Sequence, residues 1–518
     1  MNMKSSITPY SGPWTAIQAA HLLRRTTYGI TRERIEEVVS MGMEAAVDHL
    51  LRDLPMPSPP VNLFDNQDVT PIGESWIKQP FARNSKRQQS FNAWTIDLMM
   101  EEGIHIREKL TIFWHNHFVV ADIRDARMVY LYNETLRKNA LGNFSDFVKD
   151  ITIDPGMLRY LNGRDNRASS PNENYARELL ELFTVGKGDL AGPGDYTTFT
   201  EDDVRAIARI LTGWRDTNYK RADPVGVEYL SSRHDKNRKE LSHRFQNQVF
   251  GNEEELEYSS LVDTIMQSTH VAEHICRKLF LYFVHYKIDA SVEEGFLRPL
   301  AQVFRDNNYE IRPTLRSLFT SDEFYTECWI GSMIRNPLDF IMHTVISMPN
   351  RLGRAADDIY KTQYGFFTLS ASLQMELYNH PDVAGWKPYY QGPSYYQLWI
   401  NSVTLPIRGR ITDELLEGDD QFLTGVDILK FIDNMPNPYD INELIADIGL
   451  LLFPRPLEQD QINTLKGLVI PGLPDFEWTV EYSAYRNDLE NFPLLWSIRL
   501  KIKDLLLSML RMPEYYLS

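Results

Sequence analysis

The sequence predicts an all-α protein: a large multi-helical, bundle-like architecture with long irregular loops and at most short β-hairpins. Three observations carry that expectation. Side chains recur at helical spacing through most of the chain, as Leu110, Phe113, Trp114 and His117 do at i, i+3, i+4 and i+7. Helix starts are marked by capping residues with acids in the first turn, as at Thr31 with Glu33 and Thr200 with Asp203. No series of alternating apolar and polar runs, the mark of a sheet, is present.

Taken in order, the pattern gives helices over 14–25 and 31–52, then a proline-rich connection at 55–60 and an irregular stretch at 63–83. A helix pair at 88–100 and 106–118 is broken at Gly103, and helices follow at 128–140, 143–153, 171–185 and 201–211. Val204, Ile207, Ala208 and Leu211 make the apolar stripe of the last of these. The glycine-rich loop 186–194 is not a phosphate loop, because it follows a helix and no Gly-Lys-Ser/Thr opens the next one. Residues 218–252 are polar and turn-rich. Helices resume at 254–267, 270–283, 292–306 and 313–320, then near 339–348. An aromatic-rich irregular loop covers 378–410, and late helices lie near 425–433, 441–452, 459–468 and 492–510. The expected organisation is a helical N-terminal region, 1–330, and a helical C-terminal region, 331–518, packed as one unit.

Composition narrows the function classes. A net charge of −17 argues against a nucleic-acid partner, which demands clustered Lys and Arg, and against docking on an anionic membrane. Two cysteines, Cys276 and Cys328, are too few for a disulfide framework or a thiolate zinc site, and both read as buried small hydrophobes. No apolar core of signal-peptide length precedes Arg24-Arg25, and no apolar run is long enough to span a bilayer. A soluble chain without membrane insertion is expected, cytoplasmic by default, with export left open.

Four constellations could carry chemistry. The first is the helix that Ser170, Pro171 and Glu173 are expected to open as N-cap, first-turn proline and capping-box acid. Tyr175, Leu179, Leu182 and Phe183 form its apolar face, and Asn174, Arg177, Glu178 and Glu181 line another. Arg177 stands four residues from both Glu173 and Glu181, so the face is either an ion-pair strut or a site. The second is His117, placed on the buried face of its helix, with His115 roughly 200° away around the axis. The third is His234-Asp235 with Lys239 in the polar loop, a ligand pair or a turn. The fourth is the run from Tyr378 through Trp386, Tyr389, Tyr390, Tyr395 and Tyr396 to Trp399, able to stack on sugar rings or to pin a loop. No G-x-S-x-G, H-E-x-x-H or dinucleotide fingerprint occurs.

The ordered set of segments resembles the bacterial family known as domain of unknown function 1800. The resemblance runs from His21–Arg25 with Tyr28-Gly29, through Glu108–Phe118, 171–182, 201–214 and His234-Asp235 with Lys239, to 270–284, Arg335-Asn336-Pro337, 378–386, Trp399–Asn401 and Pro513–Tyr515. It implies one long, mainly helical unit and no particular activity. Members often carry secretion signals and are often encoded beside a sulfatase-like family, which makes that family a possible protein partner. This chain departs by showing no leader and by its longer glycine loop after Val185.

Three functions remain in competition. The preferred one is a non-catalytic helical scaffold or assembly factor, its polar faces fixing helix register. The alternative is a metal-assisted hydrolase-like enzyme. In it His117, His234 and Asp235 would hold a divalent metal, Arg177, Glu178 and Glu181 would do the catalytic work, and Asn174 and Lys239 would bind substrate. A carbohydrate-binding protein using Trp386 and Trp399 on a glycan is the third.

Overall fold

The computed structural model describes residues 7–349, 356–386, 398–418 and 425–518, and these form a predominantly helical protein with three two-stranded antiparallel hairpins. The hairpins join Leu190–Gly192 to Asp195–Tyr196, Trp214–Thr217 to Gly226–Tyr229, and Lys239–Glu240 to Val249–Phe250. All three sit in the loops that flank the helix Glu201–Ile210, where the sequence is richest in turns. The all-α expectation with short hairpins holds.

Capping residues set most helix starts as their letters imply. Thr200 and Asp203 form a reciprocal capping box, with Asp203 Oδ2 accepting from Thr200 N at 2.7 Å. Thr31 accepts from Arg34 N at 3.3 Å. The helix expected over 31–52 is two helices, Arg32–Met41 and Met43–Leu50, because Gly42 between them adopts φ +78° and turns the chain. Helices at Pro155–Tyr160, Ala356–Ser372 and Phe476–Asn487 were not expected, and Thr404–Glu417 reaches into the stretch read as irregular. Ala356–Ser372 and Phe476–Asn487 are rich in aromatic and β-branched residues, whose helical preference is weak, so tertiary contacts decide them. Gln363 donates to Asp97 Oδ1 at 2.6 Å, and Trp478 Nε1 donates to Pro438 O at 2.8 Å.

One hydrophobic cluster runs from Ala19 to Tyr516 and draws side chains from both halves of the sequence. Cys276 is buried within it, whereas Cys328 is exposed and not the buried hydrophobe expected. Among the described residues no helix is long and apolar enough to cross a membrane.

Candidate functional site

The helix that the sequence marked most clearly begins two residues later than its letters suggested. Asn172, and not Ser170, is the cap: its Oδ1 accepts from Asn174 N at 3.0 Å. Its amide also donates to the carbonyls of Leu161 and Asn162, at 3.2 and 2.9 Å. An α-helical stretch, Glu173–Glu178, then widens into a π-helical one, Leu179–Phe183. A π turn rotates the following residues relative to an α-helix and frees carbonyls from the i→i+4 ladder.

The carbonyls of Leu182 and Phe183, at the C-terminal end where no further helical N–H follows, are taken up by other helices. His117 Nε2 lies 3.1 Å from Phe183 O, His274 Nε2 lies 3.0 Å from Leu182 O, and Lys278 Nζ lies 3.1 Å from Leu182 O. Lys278 Nζ also stands 3.0 Å from His117 Nδ1. Burial, then the neighbouring Lys278 and His274, holds the His117 imidazole well below its ordinary value, so the ring is neutral. Facing a carbonyl, Nε2 carries the proton, which leaves Nδ1 to accept from Lys278. Burial lowers Lys278 to about 7 and His274 to about 3. Thr184 Oγ1 and Gly186 N complete the helix end by donating to the carbonyls of Leu179 and Leu180, at 2.6 and 3.0 Å. Gly186 cannot be replaced freely here: its φ is +74°, and a Cβ would lie 2.6 Å from His274 Nδ1.

The polar face of the same helix is partly open. Arg177 bypasses Glu173 and Glu181 and forks onto Glu201 at the start of the next helix, Nη1–Oε1 2.8 Å and Nη2–Oε2 2.7 Å. Glu181 pairs with Lys187 at 3.2 Å. Burial, then the charge of Glu181, pushes Glu178 up to about 7, with Asp382 adding to the effect and Arg177 opposing it. Asn174 is exposed. Glu178 is thus a half-buried carboxyl poised near neutrality beside Glu181 and Arg177.

His234 and Lys239 meet elsewhere, on a residue the sequence had not singled out. His234 Nε2 is 2.8 Å from Glu257 Oε2, and Lys239 Nζ is 2.6 Å from Glu257 Oε1, with all three side chains fully buried. His234 Nδ1 closes on Thr212 O at 2.9 Å. Asp235 points to Arg209 Nε at 2.7 Å. Burial alone would raise Asp235, but hydrogen bonds from Arg209 and Asn237 outweigh it and hold the carboxyl at about 2. His117 shares no hydrogen bond or ion pair with His234 or Asp235. Among the described residues no three His, Cys, Asp or Glu side chains gather as ligands for a metal.

The aromatic run is likewise turned inward where it is described. Trp386 and Trp399 are buried, and Trp386 lies against His380 with ring centroids 3.9 Å apart, so neither offers a face to a sugar. Tyr389, Tyr390, Tyr395 and Tyr396 lie outside the described residues. His115 belongs to this neighbourhood and not to that of His117: Tyr378 N donates to its Nε2 at 3.0 Å, so its Nδ1–H donates to Tyr132 OH at 2.9 Å, which in turn donates to Phe118 O. A polar concavity of about 310 Å³ lined by His243, Arg244 and His270 contains none of the predicted site residues.

The sequence reading missed Lys278, His274, Glu257 and Arg209. A signal existed for two of them, since His274 and Lys278 stand four apart on a helix whose other face is apolar. No curated protein and no solved structure matches the chain. The family model described as protein of unknown function DUF1800 matches residues 21–517, and the chain belongs to that family.

Proposed function

We propose that this chain is a non-catalytic helical scaffold or assembly factor whose buried polar side chains hold its helices in register. One observation carries the reading. The side chains of His117, His234 and Lys239 are engaged by Lys278, Glu257 and backbone carbonyls inside the packed protein. Buried networks satisfied in this way specify which helices meet and in what register. An assembly factor also needs a surface for its protein partner. Phe492, Trp496 and Leu500 stand at i, i+4 and i+8 on one helix, 76%, 54% and 42% exposed, and Phe476 and Val480 are exposed on the preceding helix.

The test compares two folded variants in cells deleted for the gene. Trp496→Glu should keep the melting temperature and lose the biological role, whereas Glu178→Gln should keep the role with no loss of stability. A Trp496→Glu protein with full function, beside a folded Glu178→Gln protein with none, refutes the scaffold reading.

That second outcome would favour acid–base chemistry, for which one observation speaks: Glu178, held near 7, stands beside Glu181 and Asp382 on a partly open face. The metal-assisted version gains no support from the donor set, because His117 has both nitrogens committed and His234-Asp235 faces Glu257 and Arg209 instead.

A further inference from the structure

The helices Phe476–Asn487 and Phe492–Leu510 pack against each other. Trp478, Tyr482 and Tyr485 make the buried side of the first, and Ile498, Ile502, Leu505, Leu506 and Met509 that of the second. Glu481 ties the two together, accepting from Ser497 Oγ at 3.0 Å and from Lys501 Nζ. The face of a surface helix that points away from the core is ordinarily polar. Here each helix carries a second apolar row, four residues apart and opposite its buried side. Phe476, Val480 and Ala484 form the row on one helix, and Phe492, Trp496 and Leu500 form it on the other, all of them exposed. Leu489, in the connection between the helices, is more than half exposed as well.

The size of this surface is that of an interface. Scaled by typical side-chain areas, the five large side chains of the two rows and Leu489 leave roughly 700 Å² of apolar surface uncovered. The largest such patch on an ordinary monomer is about 300–600 Å², and each partner in a stable complex gives about 800 Å².

Charge along the second helix indicates what fits there. Asp488 and Glu490 precede the row, and Arg499 and Lys503 stand towards its far end. Lys503 is held by Glu417 at 2.9 Å. Among the described residues neither Glu490 nor Arg499 has an ion-pair partner, and the Arg499 guanidinium lies 5.4 Å from the centre of the Trp496 ring. A helix with acid ahead of its apolar row and base towards the end of it is complementary to itself when laid antiparallel on a copy. A two-fold axis at Trp496 sets Phe492 of one copy against Leu500 of the other, and Glu490 against the turn that carries Arg499. Parallel pairing would bring like charges together. Rows of residues four apart are also the ridges that interlock in the commonest class of helix packing.

We propose that this face pairs two copies of the chain, with the Phe492–Leu510 helices antiparallel across a two-fold axis at Trp496. The proposal rests on the reading of this face as the partner surface and identifies the partner as a second copy. The hydrophobic cluster closes within one chain, so the separated copies keep their fold. Parent and Trp496→Glu proteins therefore melt alike at high dilution, where both are monomers.

Sedimentation equilibrium of the full chain across a wide concentration range tests the pairing. The parent should reach twice the chain mass, with a dissociation constant of about micromolar. Trp496→Glu sets two carboxylates at the axis and should raise that constant about a hundredfold or more, with Phe492→Lys as a second disruption at the edge of the row. Glu490→Arg and Arg499→Glu should each weaken the pairing several-fold, and the two together in one chain should restore it. A parent that stays monomeric throughout overturns the proposal. So does a dimer that survives both Trp496→Glu and Phe492→Lys, or a double charge reversal that pairs more weakly than either single one. A monomeric parent whose Trp496→Glu form still loses the biological role removes the self-pairing alone. A dimer lost in Trp496→Glu with the role intact counts against the scaffold reading and not against the pairing.

Discussion

Lys278 offers the most direct test of the buried network at the end of the π turn. Burial lowers its amine to about 7, far below the ordinary lysine value that the unfolded chain retains. Between those two values the unfolded state binds the extra proton, so stability must rise with pH across that window and level off below pH 7. Each pH unit is worth about 1.4 kcal/mol for a fully shifted group, so from pH 7 to 9.5 Lys278 should add about 3 kcal/mol. Buried tyrosines titrate at the upper end, and Lys278→Met, which keeps the volume and removes the amine, subtracts their effect. Urea unfolding of both proteins at half-unit pH steps gives the measurement. The stability difference between parent and variant should widen in favour of the parent from pH 7 upward and stay flat from pH 5 to 6.5. A difference that is flat from pH 7 to 9.5 would mean that Lys278 keeps its ordinary affinity for protons. The close packing of His117, Leu182 and Lys278 as a water-excluded group would then be wrong.

Three further outcomes follow from the same geometry. Gly186→Ala places a Cβ 2.6 Å from His274 Nδ1 at a φ of +74° and should cost about 2 kcal/mol in urea unfolding, with Gly192→Ala, which meets no neighbour, near zero. Glu257→Gln leaves His234 and Lys239 buried without their counter-charge and should lose about 3 kcal/mol, read as a drop in melting temperature. Glu178 has its folded value raised to about 7, so the native state holds more protons than the unfolded one between the ordinary glutamate value and 7. Its contribution falls as pH rises through that window, and Glu178→Gln should gain stability relative to the parent at pH 7 but not at pH 4.

The helical class and most helix positions were legible because capping chemistry and apolar spacing are local properties. Thr200 with Asp203 names a helix start in any context, and the structure keeps it. Positions that depend on partners far along the chain were not legible. Ala356–Ser372 is rich in aromatic and polar residues, and its helix is settled by the helix Asn84–Glu101, against which it packs. The candidate site divided in the same way. The face of Arg177, Glu178 and Glu181 could be read from spacing, but the partner of Arg177 could not. An i, i+4 pair contributes only a few tenths of a kcal/mol when exposed, and the bidentate fork onto Glu201 is geometrically better. His234 and Lys239 meet on Glu257, which lies 23 positions beyond His234 and carries no local mark.

The helix after Asn172 illustrates why a polar face cannot be assigned from letters alone. A regular α-helix over this stretch would carry Leu182 and Phe183 at the positions the sequence implies and keep their carbonyls along its axis. The π turn at Leu179–Phe183 shifts everything beyond it, and nothing in the run Leu-Leu-Glu-Leu-Phe distinguishes one winding from the other. At the end of the wider turn three nitrogen donors, from His117, His274 and Lys278, converge on two carbonyls. Buried donors of that kind are costly if left unpaired, by about 1–3 kcal/mol each. The apolar side of the helix is thus tied to its neighbours by polar contacts at its last turn, and the polar side remains partly open around Glu178. The buried last turn and the partly open face around Glu178 can therefore be tested separately. A variant on each face, Lys278→Met and Glu178→Gln, separates them: the first should change stability, and only an effect of the second on function, with stability intact, would make the open face a site.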